Sequence, residues 1–238
     1  MKLLAIIPAR RDSREIPNKN AVMVGSKPLI HWTIECALSA PSVERVLVTT
    51  DSRELVDLAI ESGAEAPFLR PPELARDDTP GIEPIIHAIT WLADHEALRP
   101  EYIVVLQPTS PLRSPDDIEG AFDLARERDA DAVVSVVSAR QHPLWMKNLE
   151  PDGRMTDFIP QANIPYRRQD LPEVYALNGA IYLGRTEIIV NKRSWYTEKT
   201  YGFVMPPERS LDVDTKWDLD LAGMLLRVKR GDDPDADR

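Results

Sequence analysis

Short apolar runs alternate with longer amphipathic segments along most of this chain. Lys2–Ile7 (KLLAII) is almost wholly apolar and is stopped by Pro8, the pattern of a strand buried on both faces of a parallel sheet. Val46–Thr49, Ala64–Leu69, Ile103–Leu106, Ala132–Val137, Gly179–Gly184 and Tyr201–Met205 repeat that strand character. Between them the pattern turns helical. Residues 29–39 (LIHWTIECALS) predict one helix. Asp51 and Glu54 have the spacing of a capping box, which opens a second helix to about Ser62. Thr79 followed by Pro80 reads as N-cap and first helical residue of a third, to about Ala97. Ser114-Pro115-Asp116-Asp117 caps a fourth, in which Ile118, Ala121, Phe122 and Ala125 form one apolar face. A last helix is expected from Thr215 to Lys229. Strands alternating with helices predict an α/β fold with a mainly parallel sheet.

Three stretches break this rhythm. Residues 8–28 and 70–78 are polar, charged and punctuated by proline, and a loop as long as the first is usually functional or disordered. From Ser138 to Tyr175 the chain is rich in Pro, Arg, Gln and Asp, and reads as a hairpin arm or a dimerisation element. In open α/β sheets ligands gather outside the carboxyl ends of the strands. The loops after Ile7, Thr49, Leu69 and Leu106 are therefore where a site is expected. The expected organisation is one domain over residues 1–230, with an inserted arm at about 139–175, and a disordered acidic tail over 231–238.

Charge sharpens that expectation. The net charge is −10, with 29 Lys and Arg against 39 Asp and Glu, so no general field draws the chain to nucleic acid or an anionic membrane. Any phosphate must meet a local cationic pocket. The loop Pro8–Asn20 supplies one, because Arg10, Arg11, Arg14 and Lys19 crowd into it. Composition alone leaves two readings of that loop, a triphosphate cradle or a solvated charged turn. It has neither the glycine spacing of a P-loop nor that of a dinucleotide fingerprint. The single cysteine, Cys36, rules out an internal disulfide and a cysteine zinc cage. The N-terminal apolar run is too short for a signal segment, and no later one approaches about 18 residues, so a soluble, cytoplasmic protein is expected. Asp212 and Asp214, two apart, face the same side of an extended segment. With triphosphate oxygens they make a hard oxygen site suited to Mg²⁺, and the alternative is that Asp214 caps the last helix.

Five stretches carry a resemblance. They are IPAR-x-x-S-R-x-IP-x-KN at 7–20, LRPPELARDDTP at 69–80, LQPTSPLR at 106–113, NGAIYL at 178–183 and SLDVDT at 210–215. In that order they resemble the motifs of the CMP-sialic acid synthetase family, the acylneuraminate cytidylyltransferases, over nearly the whole chain. The resemblance implies a three-layer α/β nucleotidyltransferase fold with a mixed, mainly parallel sheet and a small arm that builds a homodimer. It implies transfer of CMP from CTP to the anomeric hydroxyl of a nonulosonic 2-keto sugar acid, with Mg²⁺ assisting and pyrophosphate leaving. Pro8, Ala9, Arg10, Ser13 and Arg14 would cradle the triphosphate, Lys19 and Asn20 would meet phosphate and ribose, and Arg70 and Asp77 would lie near the nucleotide. Gln107, Asn178, Tyr182, Trp195 and Tyr196 would shape the sugar pocket, with Arg168 near the sugar carboxylate. Asp212 and Asp214 would hold the metal and, with Arg14, carry the catalysis. The sequence departs from the family pattern at Asp12, where glycine is usual, and at Arg14, where lysine is usual. Pro80-Gly81 and Ala176 also depart from some sialate enzymes and point away from plain sialic acid. Two rivals remain at this stage: a related nucleotidyltransferase with another acceptor, and a non-catalytic nucleotide- or sugar-binding module.

Overall fold

The computed structural model describes residues 3–12, 15–160, 165 and 167–230. Ser13, Arg14 and the 231–238 tail lie outside the described residues. In chain order the strands are β1 (Leu3–Pro8), β2 (Met23–Val24), β3 (Lys27–Pro28), β4 (Val43–Thr49), β5 (Tyr102–Val105), β6 (Ala132–Ser138), β7 (Lys147–Leu149), β8 (Met155–Asp157), β9 (Tyr175–Arg185) and β10 (Thr200–Val204). The helices are α1 (Leu29–Leu38), α2 (Arg53–Glu61), α3 (Glu83–Glu96), α4 (Pro115–Glu127), α5 (Thr186–Lys192) and α6 (Lys216–Arg230).

The main sheet has the order β10-β6-β9-β5-β1-β4. β1 pairs in parallel with β4 and β5, and β10 with β6, while β9 runs antiparallel to both its neighbours. The mixed, mainly parallel sheet expected from the sequence is therefore present. The apolar run of β1 sits inside the sheet and is used on both faces. Leu3, Ala5 and Ile7 join Ile30 and Ile34 of α1, Leu55 of α2 and Ile118 and Phe122 of α4 in one core. Leu4 and Ile6 join Ile85, Ala88, Ile89 and Leu92 of α3 and Ile189 of α5 in the other. Each fully buried Leu or Ile contributes about 1.5–3 kcal/mol, so the centre of the sheet is the rigid platform beneath the loops. Register sets its edge: Pro8 lies beside Thr49, and Ile6 beside Val105, so the parallel strands end together. Tyr182 of β9 pairs with Val105, and the residues of β9 before it run past that edge.

Several local readings are corrected. Residues 64–69 form no strand; they touch β4 only at isolated bridges, Leu47 with Glu65 and Thr50 with Leu69. Pro67 lacks the N–H that a continuous ladder needs. The cap of α2 is Ser52, whose Oγ accepts from Leu55 N at 3.4 Å, while Asp51 accepts from Arg11 N at 2.9 Å. α3 begins at Glu83 rather than at Thr79-Pro80. Thr79 instead donates its hydroxyl to Glu73 O at 2.9 Å and closes its own loop. The α4 signal holds: Ser114 donates both its N–H and its hydroxyl to Asp117 Oδ2 at 2.9 Å. The β2–β3 hairpin and α5 carry no strong periodic signal in the sequence. The 139–175 stretch contains the β7–β8 hairpin and leaves Leu149, Met155 and Phe158 exposed. Among the described residues no helix is long and apolar enough to cross a membrane.

Candidate active site

A cleft of about 700 Å³ opens at the carboxyl edge of the sheet. Its walls come from the ends of β1 and β5, the loop before α3, and the segment between α5 and β10.

One half is cationic. Pro8 lines it, and Ala9 lies buried beneath, its N–H donating to Thr49 O at 3.0 Å so that β1 keeps pairing beyond its end. The first loop is pinned from inside, since the buried Asn20 donates Nδ2 to Arg10 O at 3.0 Å. Arg10 faces the cleft and pairs with Asp77 at 2.5 Å. Asp12, at the position of the family's glycine, also lines the wall. Arg70 is 4% exposed and holds Thr49 through Nε to Oγ1 at 3.2 Å and Nη2 to the carbonyl. Burial first, and then the charge of Arg10, pull its pKa down to about 10 against the opposing Asp51. It stays protonated at neutral pH as a desolvated cation, and an anion in the cleft would relieve that cost. Lys19 lines the same half and donates Nζ to Val213 O at 2.9 Å and Asp214 Oδ1 at 3.1 Å. Those bonds tie the first loop to the Asp212–Asp214 segment. Of the expected cradle, Ser13 and Arg14 lie outside the described residues.

The other half is aromatic. Tyr182, Trp195, Tyr196 and Gln107 line it, and the rings of Tyr182 and Trp195 stand 5.7 Å apart. Burial pushes the Tyr182 phenol up, with Tyr196 and Asp212 adding to the shift. Gln107 is held by its backbone. Its carbonyl accepts from Thr33 Oγ1 and from Arg113 Nη1, both at 3.3 Å. Arg113 is 3% exposed and also donates to Ala180 O at 2.7 Å, so it is a structural strut beneath the cleft. Gly179 has φ +71, and a Cβ there would stand 3.1 Å from Gln107 Oε1 and 3.4 Å from Asp212 Oδ2. The bare glycine lets the amide and the carboxylate approach one spot.

Two expected substrate residues are not brought to the cleft. Asn178 is buried, with Oδ1 accepting from Ser135 Oγ at 2.6 Å and Ala180 N at 3.2 Å, and Nδ2 donating to Ser210 Oγ at 2.9 Å. Its amide is spent on joining β6, β9 and the 210–214 segment. Arg168 lies on the arm and donates to Ala139 O at 3.0 Å, away from the cleft walls.

The acidic pair keeps its potential as a metal site. Burial raises the Asp212 carboxyl pKa, and Asp214 and Asp218 add to that, against a hydrogen bond from Thr109 and the charge of Lys19. Asp212 Oδ1 is buried with no hydrogen-bond partner among the described residues, an arrangement that suits a cation ligand. Asp214 is exposed and does not cap α6. Thr215 does: its Oγ1 accepts from Asp218 N at 3.3 Å, and its N–H donates to Asp218 Oδ2 at 2.7 Å. Among the described residues no cluster of three or more protein ligands forms. Two carboxylates with phosphate oxygens and water completing the shell fit the way Mg²⁺ is usually held. Thr109 and Arg193 also line the cleft. Thr109 lay within a recognised motif, but nothing local marked Arg193.

The cytidylyltransferase family matches residues 4–223. The chain is 32% identical over 237 residues to the CMP-N,N'-diacetyllegionaminic acid synthase of Legionella pneumophila, covering 97% of this chain and 98% of that one. It is 35% identical over 220 residues to an N-acylneuraminate cytidylyltransferase of Streptococcus agalactiae, covering 92% of this chain and 52% of that one. A solved CMP-2-keto-3-deoxy-manno-octonic acid synthetase complexed with CTP matches with a TM-score of 0.72 over 96% of this chain and 100% of that one. At 18% identity that is a likeness of fold.

Proposed function

This chain belongs to the cytidylyltransferase family, and on that premise we propose that it transfers CMP from CTP to a nonulosonic 2-keto sugar acid. The anomeric oxygen of the acid attacks the α-phosphorus of CTP. The new O–P bond forms as the bond from the α-phosphorus to its bridging oxygen breaks, the hydroxyl proton passes to water, and pyrophosphate leaves. The relatives named for legionaminic and N-acylneuraminic acids support this acceptor class.

The observation that carries the reading is a junction. Lys19 ties the cationic loop to Asp214, while Asp212 approaches Gln107, which lines the cleft, across the bare Gly179. A triphosphate along Arg10, Arg70 and Lys19 would present its α-phosphorus toward that point. Asp212 and Asp214 would hold Mg²⁺, which supplies neutralisation of the charge that develops on the phosphate oxygens. Gln107 would orient the acid, and Tyr182, Trp195 and Tyr196 would pack on its ring faces. The exposed apolar residues of the arm favour a homodimer in which Arg168 reaches a partner's cleft. Such a nucleotide sugar would be made in the cytoplasm for cell-surface glycans.

The test is pyrophosphate release with each of the four nucleoside triphosphates against N-acetylneuraminate, legionaminate, pseudaminate and Kdo. Release is expected with CTP and a nine-carbon acid. It should fall by about 10²-fold or more in Asp214→Ala and after chelation of Mg²⁺. Release only with another nucleotide would replace the function, and undiminished turnover in Asp214→Ala would remove the metal assignment.

A further inference from the structure

The cleft has an end wall that the reaction above does not use. Glu83 opens α3, and Arg193 follows the last residue of α5. Arg193 Nη2 pairs with Glu83 Oε2, so the two residues join the wall before α3 to the wall before β10. Arg193 lines the cleft together with Trp195, Tyr196, Pro80 and Gly81. Its backbone is left-handed, φ 49 and ψ 39, with its N–H bonded to Ile189 O at 2.9 Å. Glycine is the relaxed choice at such a helix end, so the sequence retains a long side chain where the backbone disfavours one.

Stability gives a weak account of that choice. The two side chains are 53% and 25% exposed, and ion pairs that open to water add little to folding. Charge gives a better one. An unpaired arginine here would suit an anion, but Glu83 neutralises this one. What remains is a fixed set of strong donors and acceptors with no net charge. Such a pair suits hydroxyl and acylamino groups.

We propose that Arg193, held in place by Glu83, recognises the neutral polar tail of the acceptor, the hydroxylated and acylamino-bearing carbons far from its carboxylate. The proposal rests on the reading of the cleft as a sugar-acid cytidylyltransferase site. The anomeric end lies at Gln107 and Asp212, and the tail runs along the aromatic wall to the pair. Arg193 is thus a specificity determinant, and Glu83 its positioning residue, favouring a nine-carbon acid with a substituted tail over a shorter, plainer one.

Arg193→Gly is the decisive variant, because glycine fits the backbone and keeps the fold. Acceptor KM and kcat/KM are measured with CTP for the best nine-carbon acid and for the eight-carbon Kdo, in the wild type, Arg193→Gly, Arg193→Lys and Glu83→Ala. Arg193→Gly and Glu83→Ala should raise KM for the nine-carbon acid about tenfold and erase most of its advantage over Kdo. KM for CTP should stay within about twofold, and Arg193→Lys should recover part of the loss. A wild-type advantage that survives in Arg193→Gly, or a CTP KM that rises as much as the acceptor KM, overturns the proposal while the reaction stands. Absence of wild-type turnover with every nonulosonic acid overturns both.

Discussion

Gly179→Ala separates a cost to folding from a cost to the site. At φ +71 an alanine costs about 1 kcal/mol relative to glycine. In a chain of this size that lowers Tm by about 2–4 °C. The new Cβ would also stand 3.1 Å from Gln107 Oε1 and 3.4 Å from Asp212 Oδ2. The first contact is closer than ordinary packing and must open by a few tenths of an ångström. The Gln107 backbone cannot retreat, since Thr33 and Arg113 grip its carbonyl. The side-chain amide must turn instead. Misplacement by about 1 Å near reacting atoms costs roughly 10²-fold, so a shift of a few tenths is expected to lower kcat/KM about tenfold. Gly153→Ala is the control, with φ +86 and nothing within 4 Å of the added carbon. It should show a similar drop in Tm and an unchanged rate. Thermal unfolding and pyrophosphate release on the two variants decide the matter. Equal rates in Gly179→Ala and the wild type would refute the idea that this glycine keeps the amide and carboxylate in place.

Two further outcomes are expected. Asp117 is buried, which raises its carboxyl pKa, but hydrogen bonds from Arg209 and Ser114 outweigh that and hold it below its ordinary value. Its stabilising contribution is therefore present above about pH 4 and lost as the pH falls through the lower folded value. Asp117→Asn should cost about 1–3 kcal/mol at pH 7, and its gap to the wild type should narrow at pH 3, as read by denaturant unfolding. An equal gap at both pH values would refute the assignment. Burial holds the Arg70 pKa down to about 10, a cost that a bound triphosphate would relieve. Arg70→Met should cut the CTP-induced rise in Tm by about half or more while leaving acceptor KM near the wild-type value, and an undiminished rise would remove Arg70 from the nucleotide site.

What was legible in the sequence was what short-range chemistry decides. The run that became β1 has one reading, because only a doubly buried strand uses Leu3, Leu4, Ala5, Ile6 and Ile7 together. The Ser114–Asp117 box needs only its own four residues to be satisfied. The sequence is ambiguous where two adjacent residues compete for one task. Ser52 took the cap of α2, which left Asp51 to hold the first loop through Arg11. Thr215 took the cap of α6, which left Asp214 to Lys19. The site was legible through its five motifs, but membership in a motif did not separate contact from support. Asn178 and Gln107 are both amides in recognised stretches, yet one is spent inside the fold and the other reaches the cleft. Arg193 was invisible because its importance depends on Glu83, more than a hundred positions away.

The reversed direction of β9 has a consequence for inheritance. Because β6 ends and β9 begins at the cleft edge, the arm between them can change without disturbing the strands that hold the nucleotide loops. Gly179, Tyr182 and the Arg193–Tyr196 segment then fall within one stretch, 139–196, while Pro8, Arg10, Lys19, Arg70 and Asp77, the proposed nucleotide side, come from the first 80 residues. On the proposed reading, taste for the acceptor would be written largely in one paragraph of the chain and taste for the nucleotide in another. A single crossover segment exchanged between two relatives would carry a preference for one sugar acid into a protein that keeps its grip on CTP.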